Sequence, residues 1–144
     1  MTWLEYQGQE SKAPPGAKVL EVRLDAKSVP QSNGSVVIEG TTNLPDGTFL
    51  MISLNHQASK FLAQSKVTVV GGRFISDPLS NGAGKTPALT KGSYELEIIM
   101  PVSNVQPEAV QKIVGKKCEL LGGPLMKLGV AGKIVDFSKT VRIP

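Results

Sequence analysis

Residues 36–54, VVIEGTTNLPDGTFLMISL, and residues 72–100, GRFISDPLSNGAGKTPALTKGSYELEIIM, decide how this chain folds. In each, apolar residues recur at every second position, and Pro-Asp-Gly, Asn-Gly or Lys-Gly interrupts them. A period of two places one face of an extended strand on a core and the other in water. The interrupting residues are turn formers, because proline presets φ and glycine accepts a positive one. The pattern predicts a mainly β protein, an antiparallel β-sandwich.

Working outward, residues 18–25 alternate cleanly, with Leu20, Val22 and Leu24 on one face and Glu21, Arg23 and Asp25 on the other, which predicts a first strand. Residues 30–34 read as a turn, 35–41 as a second strand, 43–48 as a tight turn around Pro45 and Gly47, and 49–55 as a third strand. Residues 57–64 fit either a loop or a single helical turn. Strands follow at 66–70 and 73–76, separated by a Gly71-Gly72 bend, and residues 77–91 read as a long polar loop. Residues 93–100 form the strongest later strand, with Tyr94, Leu96 and Ile98 opposite Glu95 and Glu97.

One short helix is expected near residues 106–114. Pro107 suits its first turn, Glu108 its positive end and Gly115 its stop, and Ala109, Val110, Ile113 and Val114 would cover the sandwich. Further strands are expected at 117–121, 125–130 and 133–143. The organisation is then an N-terminal segment and linker, residues 1–17, before a single sandwich domain, residues 18–144.

The 144 residues suffice to bury a core without disulfides, and 15 glycines with 10 prolines supply the turns. The formal charge of +4 is uneven: from Lys112 onward seven basic residues face two acidic ones, giving +5 and leaving −1 for residues 1–111. Such a region could meet a polyanion or an anionic membrane, with Lys116, Lys117, Lys127 and Lys133 as contacts, or could simply keep strands soluble. Cys118 is the only cysteine, so no disulfide forms within the chain, and a half-buried strand position is its expected place.

No apolar run is long enough to span a bilayer, and residues 1–18 lack the basic-then-apolar order of a signal peptide. The polar, proline-containing stretch 7–17, QGQESKAPPGA, is nonetheless like the linkers that follow a removed signal or an anchor, which leans the expectation toward an exported or anchored protein.

No residue pattern carries catalytic chemistry. Gly84-Lys85-Thr86 matches the second half of a phosphate-binding loop, but Leu79 stands where its first glycine is required, and Pro87 prevents the helix whose amides would face the phosphate. His56 is the only histidine, which excludes a His-pair or usual His and Cys zinc site within one chain, and no Gly-x-Ser-x-Gly elbow occurs. Glu95 and Glu97 share a strand face and supply too few oxygens for calcium, so they read as an outward polar row. Only Phe137 lies in the basic final third and is expected inward, which argues against specific nucleic-acid binding. No cofactor, metal or catalytic residue is expected.

Residues 40–48, GTTNLPDGT, with the strand after them, and the pair Gly72-Arg73-Phe74 and 89–98, LTKGSYELEI, resemble small immunoglobulin-like or transthyretin-like β-sandwich domains of exported or anchored bacterial proteins of unknown function. The resemblance implies an adhesive, scaffolding or accessory module without catalytic residues. The expected function is non-enzymatic engagement of a protein partner through loops or a strand edge. Candidate contacts are Pro45, Asp46 and Gly47 in the tight turn, His56, and Asn81 and Lys85 in the long loop.

Overall fold

A computed structural model describes residues 19–56, 61–80, 88–101, 105–129 and 132–143. The strands are β1 (Leu20–Glu21), β2 (Leu24–Pro30), β3 (Val36–Thr42), β4 (Phe49–His56), β5 (Phe61–Thr68), β6 (Arg73–Ile75), β7 (Gly92–Met100), β8 (Leu121–Gly122), β9 (Met126–Gly129) and β10 (Gly132–Ile143), with helix α1 (Glu108–Val114) between β7 and β8. They form a five-stranded antiparallel sheet in the order β5-β4-β7-β10-β9, a three-stranded antiparallel sheet β2-β3-β6, and a parallel pair β1-β8.

Alternate residues of the two larger sheets meet in one core. Leu50, Ile52 and Leu54 of β4 with Tyr94, Leu96 and Ile98 of β7 share a cluster with Leu24, Ile38 and Phe74 of the smaller sheet. Full burial of each such side chain stabilises the fold by about 1.5–3 kcal/mol, which makes the phase of the alternation decisive for which face turns inward. The mainly β, antiparallel expectation therefore holds.

Two turns behave as their residues dictate. Gly34 and Gly47 take φ values of 85° and 89°, which a side chain would disfavour. At the second, Asp46 Oδ1 accepts the Gly71 N–H at 2.8 Å and ties the β3–β4 turn to the bend before β6.

The first expected strand divides in two. Burial alternates from Glu21 to Ala26 as the pattern requires, but Asn43 inserts between Glu21 and Arg23. Its Oδ1 accepts the Arg23 N–H at 2.8 Å and its Nδ2 donates to Glu21 O at 2.7 Å. Residues 20–21 consequently pair with β8 and residues 24–30 with β3, so the expected turn at Pro30 begins a residue later and β2 absorbs 26–30.

Other boundaries also move. Residues 61–64, read as loop or helix, open β5 because His56 and Phe61 face each other as the last pair of the β4–β5 ladder. Helix α1 follows Pro107 and stops at Gly115, yet buries only Val110 and Val114, while Ala109 and Ile113 are exposed. Seven residues make two turns, and that length offers the core one narrow stripe. Residues 117–120 form a turn instead of a strand: Cys118 adopts φ 57° and is fully buried.

Gln106 completes the ladder where β7 ends. Its Oε1 accepts the Phe49 N–H at 2.7 Å and its Nε2 donates to Phe49 O at 3.0 Å, so a side-chain amide stands in for the next residue of a strand. Gly40, at the centre of β3, sits between Ala26 and Phe74 in register, and the Phe74 ring occupies the space its missing side chain leaves.

Candidate functional site

The outward side chains of the three-stranded sheet follow from the same alternation that builds the core. Because Leu24, Ala26, Ile38 and Phe74 are buried, Asp25, Lys27, Glu39, Thr41, Arg73 and Ile75 turn the other way. The register places them in two rows across the sheet, Asp25–Thr41–Arg73 and Lys27–Glu39–Ile75.

These rows floor a groove of about 800 Å³, extended by Thr68 and Val70 on one side and Lys139 on the other. Its charges are mostly matched. Lys27 Nζ lies 3.3 Å from Glu39 Oε1, and Lys139 Nζ lies 3.6 Å from Asp25 Oδ1 and donates to Ala26 O at 2.8 Å. Exposed pairs of this kind contribute little to stability, and their effect is to set the charge pattern of the surface. Arg73 has no ion-pair partner among the described residues, and beside it Ile75 and Val70 are 63% and 68% exposed. Two exposed β-branched side chains next to an unmatched guanidinium make a surface that favours an apolar group carrying a carboxylate.

The residues expected from sequence do not gather here. Pro45, Asp46 and Gly47 precede β4 and His56 closes it, so they stand at opposite ends of an eight-residue strand. That span is roughly 23 Å at about 3.3 Å per residue. The Gly47 position lies against α1, where a Cβ would meet Val110 at 3.6 Å. His56 stacks on Tyr94 with ring centroids 4.5 Å apart, and Phe61 meets Tyr94 edge-on at 6.0 Å. Tyr94 in turn donates its hydroxyl to Thr90 O at 2.7 Å, which gives His56 a packed place in an aromatic cluster. Asn81, Lys85 and the phosphate-loop-like stretch 82–86 lie outside the described residues.

The basic set separates as well. Lys116 and Lys117 are exposed in the turn after α1. Lys127 is engaged by Asp136 Oδ2 at 3.4 Å. Lys133 contradicts its expected place on a polyanion-binding surface: it is 6% exposed and its ammonium reaches Leu121 O at 3.4 Å. Burial pushes its pKa below the ordinary value, while the negative charges available to Cys118 and Glu119 pull it back upward.

Sequence alone marks Arg73 and Ile75 only as part of a short strand and does not reveal the groove. The signal was present in Arg73-Phe74-Ile75, where an inward Phe74 obliges both neighbours to face outward. What alternation could not disclose is that Asp25 and Thr41 fall in the same row. Among the described residues no group of three or more His, Cys, Asp or Glu side chains could hold a metal ion, and no helix is long and apolar enough to cross a membrane. Comparison with protein-family models, curated proteins and solved structures gives no match in any of the three.

Proposed function

We propose that the chain is a non-enzymatic binding module that engages a protein partner through the outer face of its three-stranded sheet. The groove carries this reading: exposed Val70 and Ile75 beside Arg73, the cation of that face without an ion-pair partner among the described residues. An extended segment laid along it would place apolar side chains on Ile75 and a carboxylate on the guanidinium. The resemblance to immunoglobulin-like and transthyretin-like domains of exported or anchored proteins supports an accessory or adhesive role and an extracytoplasmic setting.

A displayed library of random extended peptides, selected on the whole protein, tests the reading. Selected peptides should pair an acidic with an apolar residue, and Arg73→Glu should weaken them at least about tenfold, as expected for a residue central to a contact. Ile75→Asp should weaken them further. Binders unaffected by either substitution would place the contact surface elsewhere.

A further inference from the structure

On the outer face of the five-stranded sheet, one buried atom lacks what its chemistry requires. Asp136 Oδ1 is inaccessible to solvent and receives no hydrogen bond from any donor among the described residues. Buried carboxylate oxygens in folded proteins are almost always matched by donors. The other oxygen of the group, Oδ2, is matched by Lys127 Nζ at 3.4 Å.

A second carboxyl group stands beside it on the same face of the sheet. In the β7–β10 ladder Asp136 stands opposite Ile99 and Glu97 opposite Ser138, so the two acids are diagonal neighbours on one face. The Asp136 carboxyl is close enough to help hold the Glu97 carboxyl above its ordinary value. Two carboxylates cannot hydrogen-bond to each other, whereas a carboxylic acid and a carboxylate can, through one proton.

We propose that Glu97 and Asp136 hold one proton between them, a clasp across β7 and β10 that tightens the five-stranded sheet as the surroundings acidify. Polarity follows the contacts: Lys127 meets Asp136 at Oδ2, which leaves Oδ1 to accept and makes Glu97 the member that carries the proton. The remaining strands bring few competing charges. Glu95 of β7 lies two residues away and adds repulsion that favours protonation. Ser53 of β4 and Ser138 of β10 flank Glu97 and are uncharged. Lys66 of β5 is occupied over the Phe49 ring at 4.2 Å, and Arg142 lies opposite Ser93, farther along the ladder.

The direction of the pH dependence follows. Desolvation first, then the Asp136 carboxyl, raises Glu97 above its ordinary 4.5, and Lys127 only partly opposes them. The folded protein thus binds this proton more tightly than the unfolded chain. Its stabilisation is fully present below about 4.5 and is lost as pH rises through the higher folded-state value.

The experiment is a carbon-detected NMR titration of side-chain carboxyls in the whole protein, alongside urea midpoints measured against pH. In the wild type Glu97 should titrate above the ordinary glutamate value, and Asp136→Asn, which removes the neighbouring negative charge and adds an amide donor, should bring it down. Glu97→Gln donates the same bond permanently, so its urea midpoint should not fall across the window where that of the wild type does. Glu97 titrating normally, or unmoved by Asp136→Asn, would overturn the clasp. So would parallel midpoint curves for the wild type and Glu97→Gln. The wild-type titration decides by itself if a variant does not fold.

Discussion

Gly40 shows how a single position can constrain a sheet. A Cβ there would collide with the Phe74 ring and with the carbonyl oxygen of Asp25, one a side chain held in the core and the other backbone. Neither can yield cheaply, so Gly40→Ala should destabilise the fold by about 1–3 kcal/mol, the usual cost of overpacking a filled site. Urea denaturation measures it, and combining the change with Phe74→Leu should recover part of the loss. An unchanged midpoint in Gly40→Ala would mean that Phe74 swings aside freely. The glycine was visible in the sequence and so was its strand, but its purpose was not, because Phe74 lies far along the chain and reaches it only through the β3–β6 register.

At the scale of elements, α1 and the segment before it act as a cap whose anchor is Gln106. The helix alone is too short to be stable in water, since nucleation is costly and seven residues recover few hydrogen bonds. Its place depends on Val110 and Val114 in the core and on the double hydrogen bond from Gln106 to Phe49. Gln106→Ala should therefore cost about 1–3 kcal/mol, the penalty for leaving buried backbone groups unmatched. Amide hydrogen exchange should accelerate at Phe49 and across α1 before it does in β7. Loss confined to Phe49 would show that the helix docks through its valines alone. The helix was legible from Pro107 and Gly115, but which face it buries was not, because that depends on where the sheet edge stands.

For the whole molecule, the open side between β2 and β10 is the vulnerable border. From Val135 onward β10 pairs with β7, and β9 reaches only as far as Val135 on its other edge, while β2 pairs only with β3. Lys139 bridges the gap by donating to Ala26 O and lying near Asp25. A lysine aimed into such a border deters another chain from adding a strand there. Lys139→Val should expose the Ala26 carbonyl beside a more apolar rim and shift the protein toward larger species with rising concentration, measured by light scattering after size exclusion. Lys139→Arg should not. An unchanged mass in Lys139→Val would show that the border is protected by other means.

Alternation in β10 puts Lys133 in phase with Val135, Phe137, Val141 and Ile143, so its inward phase is legible in the strand, and counting it as surface charge follows from residue type and ignores phase. The sequence by itself determined the central strands β3, β4 and β7 with their buried and exposed faces, the turns at Gly34 and Gly47, and the stop of α1 at Gly115. These follow from contacts and backbone preferences within a few residues. Only the tertiary structure decided that residues 20–21 and 24–30 serve different sheets, that Cys118 is buried, that Glu97 and Asp136 become diagonal neighbours, and that Arg73 shares a groove with Lys139. Each of these depends on which strand lies alongside which, and period-two patterning fits several partners equally well until one closed core selects among them.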